Sequence, residues 1–126
     1  MMRILIDTHI LIWCLENNPT LPQKTREIII DPDNIVFVSV ASAWEILIKK
    51  AKGQLNAPDD LKQKLDANQF IPLPITLQHV LTIESLPKIH HDPFDRIMIA
   101  QAKTDNLLFI TRDPWLKKYG INILVS

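Results

Sequence analysis

RILIDTHIL, residues 3–11, is the stretch from which the fold of this chain follows. Residues 3–6 form a short run rich in apolar and β-branched side chains, which predicts a buried strand. Ile10 and Trp13 then recur at helical spacing, so a helix begins directly after the strand. Asp7 therefore lies at the carboxyl end of a predicted strand, the position at which open α/β sheets bind ligands.

The rest of the chain alternates between short apolar runs and segments with helical spacing. This alternation predicts parallel β–α–β units, and hence a three-layer α/β/α fold around a mainly parallel sheet. Two prolines in the segment 70–75 place it at an edge of the sheet. The further predicted strands are residues 35–38, 70–75, 107–110 and 121–125, and the predicted helices after the first are residues 22–30, 39–52, 58–67, 77–86, 94–104 and 114–119.

The composition is that of an ordinary globular protein, with 47% apolar residues, 22% charged residues and a formal net charge of zero in 126 residues. We expect a single domain over residues 1–126. The chain lacks the basic excess of proteins that bind nucleic acid through bulk electrostatics, so any such contact must be local. It has no apparent signal peptide and no apolar segment long enough to span a bilayer, which favours a cytoplasmic protein.

Five carboxylates stand at predicted strand ends or helix starts: Asp7, Glu45, Asp92, Asp95 and Asp113. Each of them has a structural explanation. Glu45 follows Ser42 at capping-box spacing, whereas Asp92 and Asp113 each precede a proline, as helix N-caps often do. Taken one at a time, the acids are better explained as caps.

Taken together, the acids predict a metal site. The ends of parallel strands meet at one edge of a sheet, and several carboxylates crowded there repel one another. A hard divalent cation such as Mg²⁺ relieves that repulsion, because it prefers oxygen ligands. Such a site suits phosphodiester hydrolysis by activated water. Zinc is not indicated, because His90, His91 and the single Cys14 lack partners at metal-ligand spacing.

Three further groups of residues have structural or functional interpretations. Arg96 and Arg112 each adjoin a proposed ligand, so we expect them to touch phosphate or to hold the acids in place. Three lysines near this edge continue the helix that carries Glu45, and the interpretation that they complement the helix dipole is favoured for Lys52; they are Lys49, Lys50 and Lys52. The tryptophans fall in apolar helical stripes and are predicted to lie in the core; they are Trp13, Trp44 and Trp115.

Four motifs in this order resemble the PIN-domain nucleases, and more narrowly the VapC-type toxins of bacterial toxin–antitoxin pairs. The motifs are LIDTH (5–9), SVASAWEI (39–46), HDPFDR (91–96) with IAQA (99–102), and TRD (111–113). The resemblance implies Mg²⁺- or Mn²⁺-dependent cleavage of RNA, inhibition by a cognate antitoxin, and a homodimer. By position it implies that the acidic ligands are Asp7, Glu45, Asp95 and Asp113, with support from Thr8, Ser39, Asp92 and Thr111.

Two alternatives remain open at this point. A phosphotransfer domain of similar architecture is weakly indicated, because Asp7 has no acidic neighbour and residue 9 is His9 rather than a second aspartate. A non-catalytic α/β binding module would use the same acids only as caps. In that case, alanine at Asp7 or Asp95 would lower stability by roughly 1 kcal/mol. If the acids instead crowd one site, stability without metal would stay unchanged or rise.

Overall fold

The computed structural model describes residues 1–88 and 92–126. Within these residues, five strands form one sheet in the order β3-β2-β1-β4-β5, and every neighbouring pair is parallel. The prediction of an α/β fold with a parallel sheet and an edge strand near residue 72 is therefore confirmed. The strands are β1 (Arg3–Ile6), β2 (Ile35–Ser39), β3 (Ile71–Leu73), β4 (Leu108–Thr111) and β5 (Ile123–Val125).

The helices flank this sheet and largely follow the predicted order. They are α1 (Thr8–Glu16), α2 (Gln23–Ile30), α3 (Val40–Ala51), α4 (Leu61–Ala67), α5 (Leu77–Ile83), α6 (Pro93–Asp105) and a 3-10 helix (Pro114–Tyr119). Among the described helices, none combines the length and the hydropathy needed to cross a membrane.

Two helix boundaries differ from the prediction by more than one residue. α4 begins at Leu61 rather than at residue 58, and Asp59 instead forms an ion pair with Lys50 of α3. α5 ends at Ile83, because residues 84–86 donate backbone hydrogen bonds to carbonyls only three residues earlier. Both differences come from interactions at a helix end, which the periodicity of the apolar residues does not report.

Side chains of β1 point alternately into two cores, one on each side of the sheet. Ile4 and Ile6 are fully buried in a cluster that includes residues of α1, α2 and α4. Leu5 is fully buried in the other cluster, mainly against α6 and the 3-10 helix. β1 is therefore buried on both faces, as expected of a central parallel strand.

The register of the strands brings three loop starts together. Ile6 lies opposite Val38 of β2 and Ile110 of β4, so the residues that follow these positions lie side by side. The backbone N–H of Asp7 donates to the carbonyl of Ile110 at 3.0 Å, which continues this alignment one residue beyond the strand. The sequence-predicted edge, where strand ends and helix starts converge, is therefore present.

Two of the three tryptophans do not lie in the core, so that prediction was wrong for them. Trp44 is 61% exposed and Trp115 is 59% exposed, whereas Trp13 is partly buried against the core. On α3 the buried face is formed by other residues, including Ser42 and Glu45, and Trp44 lies off that face. Trp115 belongs to a 3-10 helix, whose three-residue period turns it outward, and Lys118 lies over its ring.

Candidate functional site

A cavity of about 190 Å³ opens at the carboxyl ends of β1 and β4. All five acids singled out in the sequence line this cavity, together with four other polar residues. A larger cavity of about 410 Å³ lies near the start of β2, but Asp31 is the acid in its lining, so charge does not converge there. The lining of the acidic cavity is Asp7, Thr8, His9, Glu45, Lys49, Asp92, Asp95, Arg112 and Asp113.

Asp7 serves as a helix cap and is also oriented by the neighbouring strand. One carboxylate oxygen accepts from the backbone N–H of Ile10 at 2.8 Å, which caps α1. The other accepts from the hydroxyl of Thr111 at 2.5 Å and from the backbone N–H of Arg112 at 3.4 Å. Burial raises the pKa of Asp7 above its ordinary value although these hydrogen bonds oppose the rise. Burial therefore disfavours the charged form of Asp7, while the hydrogen bonds fix its carboxylate in position.

Glu45 is not a cap, so the capping-box interpretation of its spacing from Ser42 was wrong. The cap of α3 is Ser39, whose hydroxyl oxygen accepts from a backbone N–H two residues later at 3.0 Å. Glu45 lies six residues after this cap, inside α3, and is only 4% exposed. Its Oε1 accepts from the hydroxyl of Thr8 at 2.6 Å, and its Oε2 contacts the ammonium of Lys49 at 2.6 Å. Because donors engage both of its carboxylate oxygens, the buried Glu45 side chain is held in one orientation.

The remaining three acids approach from α6 and from the loop after β4. Asp92 caps α6 by accepting from the backbone N–H of Phe94 at 2.9 Å, and Asp113 caps the 3-10 helix by accepting from Trp115 at 3.0 Å. Asp95 lies in the first turn of α6. Burial first, and then repulsion from the other four acids, raises the pKa of Asp95 to about 7. This repulsion is expected, because all five carboxylates line the same cavity.

The predicted supporting residues divide into those inside and those outside this site. Thr8, Thr111 and Arg112 contact the acids or line the cavity, as described above. Ser39 is fully buried and caps α3 outside the cavity lining. Arg96 donates to the carbonyl of Pro87 at 2.9 Å and to the hydroxyl of Tyr119 at 3.3 Å, so it secures the start of α6 from outside the cavity lining. The predicted loop histidines at 90 and 91 lie outside the described residues.

Comparison with known proteins identifies the family. The sequence pattern of the PIN domain family matches residues 4–122. The chain belongs to the PIN domain family. A search of characterised protein sequences gives no significant match.

Solved structures share the fold of this PIN domain at low sequence identity. VapBC2 from Rickettsia felis, bound to a DNA fragment from its promoter, gives a TM-score of 0.73 at 14% identity, with 99% of this chain and 98% of the other covered. VapBC-1 from nontypeable Haemophilus influenzae gives 0.64 at 20% identity, covering 98% of both chains. FitAcB from Neisseria gonorrhoeae gives 0.62 at 18% identity, covering 96% of both chains. Likeness at such identities shows the fold.

The acids of this PIN domain offer the ligand atoms that a hard cation prefers, although they do not form a complete coordination site. In residues 1–88 and 92–126, no three side chains among His, Cys, Asp and Glu converge closely enough to hold an ion as they stand. Asp7 and Glu45 are instead engaged by hydroxyl, backbone and ammonium donors. The candidate metal ligands all offer carboxylate oxygens, and repulsion from four other acids adds to burial in raising the pKa of Asp95. Both features match a divalent cation that prefers oxygen ligands.

Two residues of the PIN domain cavity were not among the predicted site residues. His9 is partly buried, and burial together with the nearby Arg112 lowers its pKa below the ordinary value. Lys49 contacts Glu45, and that hydrogen bond raises its pKa. Position in the sequence offered a signal for both, since His9 follows Asp7 by two residues and Lys49 follows Glu45 by one helical turn.

We expect that Thr111→Val lowers the free energy of unfolding by about 2 kcal/mol at pH 7, because a buried carboxylate loses its hydroxyl donor. The same hydroxyl oxygen accepts from the backbone N–H of Asp113 at 3.1 Å, so a second bond is lost. Urea denaturation measures the change. Thr111→Ser is the matched control, since it retains the hydroxyl and should lose much less. Equal stability of the Val variant and the wild type would show that this hydroxyl does not stabilise Asp7.

Proposed function

We propose that this PIN domain, as a single unit over residues 1–126, is a metal-dependent endoribonuclease that acts as the toxin of a toxin–antitoxin pair. The observation that supports it best is the acidic cavity, in which burial and, after it, repulsion from four other carboxylates raise the pKa of Asp95 to about 7. A fold needs no such arrangement of charge, since unrelieved carboxylate repulsion opposes folding. A cation is the simplest compensation for it.

In this proposal Asp7, Glu45, Asp95 and Asp113 hold the metal, which is Mg²⁺ or Mn²⁺. When bound, the metal supplies charge stabilisation to the phosphodiester and activation of water. Thr111 orients Asp7, and Thr8 orients Glu45, through hydroxyl hydrogen bonds of 2.5 and 2.6 Å. Asp92 caps α6 and thereby fixes the turn that contains Asp95. Each ligand is thus held by an element of the sheet edge rather than by a free loop.

The chain supplies its positive charge locally. Arg112 lines the cavity and is exposed, with its guanidinium 5.9 Å from the ring of Trp13. An exposed guanidinium at the rim of an acidic site is suited to bidentate contact with a phosphate of the substrate. Contact of this kind requires no overall basic excess, which agrees with a net charge of zero. We therefore propose RNA, bound by its backbone next to the acids, as the substrate.

The direct test combines metal binding with RNA cleavage. Mn²⁺ is titrated calorimetrically into the metal-free protein, and a labelled mixture of transfer and ribosomal RNA is incubated with protein and Mg²⁺, Mn²⁺ or EDTA. We expect binding of the metal, a higher melting temperature in its presence, and cleavage that EDTA abolishes. Intact RNA together with an unchanged melting temperature would contradict the proposal.

A non-catalytic binding module is the second candidate, and one observation favours it. Asp7, Asp92 and Asp113 each cap a helix with a side-chain oxygen, which explains their presence without any ligand. This explanation does not extend to Glu45, which is buried within α3, or to Asp95, which repels its neighbours. The binding-module hypothesis predicts no response of the melting temperature to Mn²⁺ in the test above.

A toxin of this kind would act in the cytoplasm and bind a cognate antitoxin. Support for the antitoxin comes from the structural neighbours, among which are VapBC complexes and a structure titled as a toxin–antitoxin complex from Klebsiella pneumoniae. Co-expression with candidate antitoxins encoded in the same genome, followed by gel filtration, tests this partner. A stable complex that no longer cleaves RNA would support the pairing, and separate elution would contradict it.

The proposed homodimer is supported by an exposed apolar stripe on α3. Val40, Trp44 and Leu47 recur at helical spacing and are 40%, 61% and 60% exposed. α5 adds Leu77 and Leu81, which are 73% and 53% exposed. Large side chains exposed together are typical of a surface that another protein covers. We assign this surface to a second copy of the chain.

Replacing Trp44 and Leu47 together by glutamate is expected to convert the dimer to a monomer, because charge would enter the apolar interface. Light scattering after gel filtration measures the mass. Trp115→Glu is the matched control, since Trp115 is equally exposed but lies on the 3-10 helix, and it should leave the mass unchanged. A wild type that is already monomeric would contradict the homodimer.

A further inference from the structure

Lys49 occupies an unusual position for a lysine near the end of a helix. It lies one turn after Glu45 on α3, and its ammonium contacts Oε2 of Glu45 at 2.6 Å. The other oxygen of Glu45 is held by Thr8. Side-chain exposure is 36% for Lys49 and 5% for Glu45, so a reachable cation is paired with an almost inaccessible anion.

The charge of Lys49 acts on more than one acid of the cavity. Its pKa is raised first by the hydrogen bond to Glu45, and further by attraction to Asp92 and Asp95. Lys49 therefore partly neutralises the metal-free site, as a bound cation would. The contrast with Lys50 is direct, because Lys50 on the same helix pairs with the exposed Asp59 away from the cavity.

Glu45 would have to release this ammonium from Oε2 if both of its carboxylate oxygens were to become available to a metal. Lysine is a strongly hydrated point charge on a flexible four-carbon stem, so it can leave without disturbing the helix. Because Lys49 is partly exposed at the cavity, its ammonium can move toward solvent while remaining near the site. A phosphodiester that reaches the cavity brings the negative charge with which the released ammonium can pair.

We propose that Lys49 is a displaceable internal cation, which neutralises Glu45 in the metal-free protein and contacts the backbone phosphate of RNA once metal has bound. The inference rests on the proposed function and adds a substrate-binding residue to it. Lys49 lowers the affinity of the free protein for metal and raises the affinity of the metal-bound protein for RNA. These two effects have opposite signs, which makes the role testable.

The first test is calorimetric titration of Mn²⁺ into metal-free wild type, Lys49→Met and Lys52→Met at pH 7.5. We expect Lys49→Met to bind Mn²⁺ about fivefold more tightly than wild type, because the competitor is gone. Lys52→Met is the matched control, since it removes the same charge from the exposed end of α3 and does not line the cavity. Loss of a positive charge from α3 should raise Mn²⁺ affinity to a similar extent in both variants. Displacement is therefore supported only by the additional affinity of Lys49→Met over Lys52→Met.

The second test measures binding of a fluorescent 2′-O-methyl RNA strand of mixed sequence in saturating Mn²⁺, with gel electrophoresis of the strand to verify that it stays intact. We expect Lys49→Met to bind about tenfold more weakly than wild type, Lys49→Arg to recover most of the affinity, and Lys52→Met to match wild type. A residue that only orients Glu45 would give the opposite metal result, with weaker Mn²⁺ binding in Lys49→Met. Thermal melts identify a variant that fails to fold, in which case Lys49→Arg and Lys49→Gln are compared instead.

The outcomes separate this inference from the proposed function. If wild type binds Mn²⁺ but Lys49→Met binds it no more tightly than Lys52→Met, the displacement is wrong and the nuclease proposal stands. If metal binding responds as expected but RNA affinity does not, the phosphate contact is wrong. If wild type binds no Mn²⁺, the proposed function fails and this inference fails with it.

Discussion

Asp7→Asn is expected to lower RNA cleavage by at least about 1000-fold, which corresponds to roughly 4 kcal/mol of lost transition-state stabilisation. Asp7 is 5% exposed at the end of the central strand and holds contacts to α1 and β4 at once. Asparagine offers one oxygen and no charge, so it lacks the charge needed to bind a hard cation strongly. Activity should therefore disappear without a change of fold.

The fold should survive because asparagine retains the capping interaction. Its side-chain oxygen can accept from the backbone N–H of Ile10, as Asp7 does at 2.8 Å, and asparagine caps helices as well as aspartate. The amide NH2 that replaces Oδ2 no longer accepts from Thr111 and Arg112, which costs stability. Removal of a buried charge whose pKa is raised offsets this cost, so the melting temperature should change little.

Cleavage of labelled RNA and thermal melting, each with and without Mn²⁺, measure both parts of this prediction. Asp66→Asn is the matched control, because it makes the same chemical change in an exposed surface ion pair with Lys62. This variant should cleave RNA at the wild-type rate, and Mn²⁺ should raise its melting temperature by the same amount as that of wild type. A well-folded Asp7→Asn protein with wild-type cleavage would remove Asp7 from the site, and an unfolded one would make it a structural cap.

The fold, and the edge of the sheet at which the candidate site lies, could be predicted from the sequence because both depend on local patterns. A strand that leads directly into a helix is visible in residues 3–11, and parallel pairing then follows from alternation. The acids could be placed on one edge because parallel strands end together. The caps at Asp92 and Asp113 were also recognisable, since each precedes a proline at a helix start.

What the sequence could not predict depends on which helical face meets the sheet. Trp44 and Glu45 are adjacent in sequence, but α3 buries the acid and exposes the indole, against the usual order of hydrophobicity. The pairing of Lys49 with Glu45, and the turn of Arg96 toward Pro87, likewise follow from tertiary packing. Functional sites are where such violations of local rules are expected.

Asp95→Asn is expected to stabilise the metal-free protein at pH 8 and to leave its stability almost unchanged at pH 4. In the folded protein the pKa of Asp95 is about 7, against an ordinary value of 3.8. Between these values the folded state binds the proton more tightly than the unfolded state does. The stability of the wild type therefore falls as the pH rises from about 4 to 7, and the asparagine variant lacks this fall.

The size of the effect follows from the same difference. It is equivalent to at most about 4 kcal/mol above pH 7, and solvent at the cavity reduces it to about 2 kcal/mol. Urea denaturation at pH 4, 6 and 8 in the presence of EDTA measures it, with the exposed Asp33→Asn as the matched control. Saturating Mn²⁺ should reverse the order at pH 8, because the wild type then gains binding energy that the variant has lost. A variant that is less stable than wild type at every pH would mean that Asp95 stabilises α6 through the helix dipole. Repulsion from the other acids would then make no measurable contribution to stability.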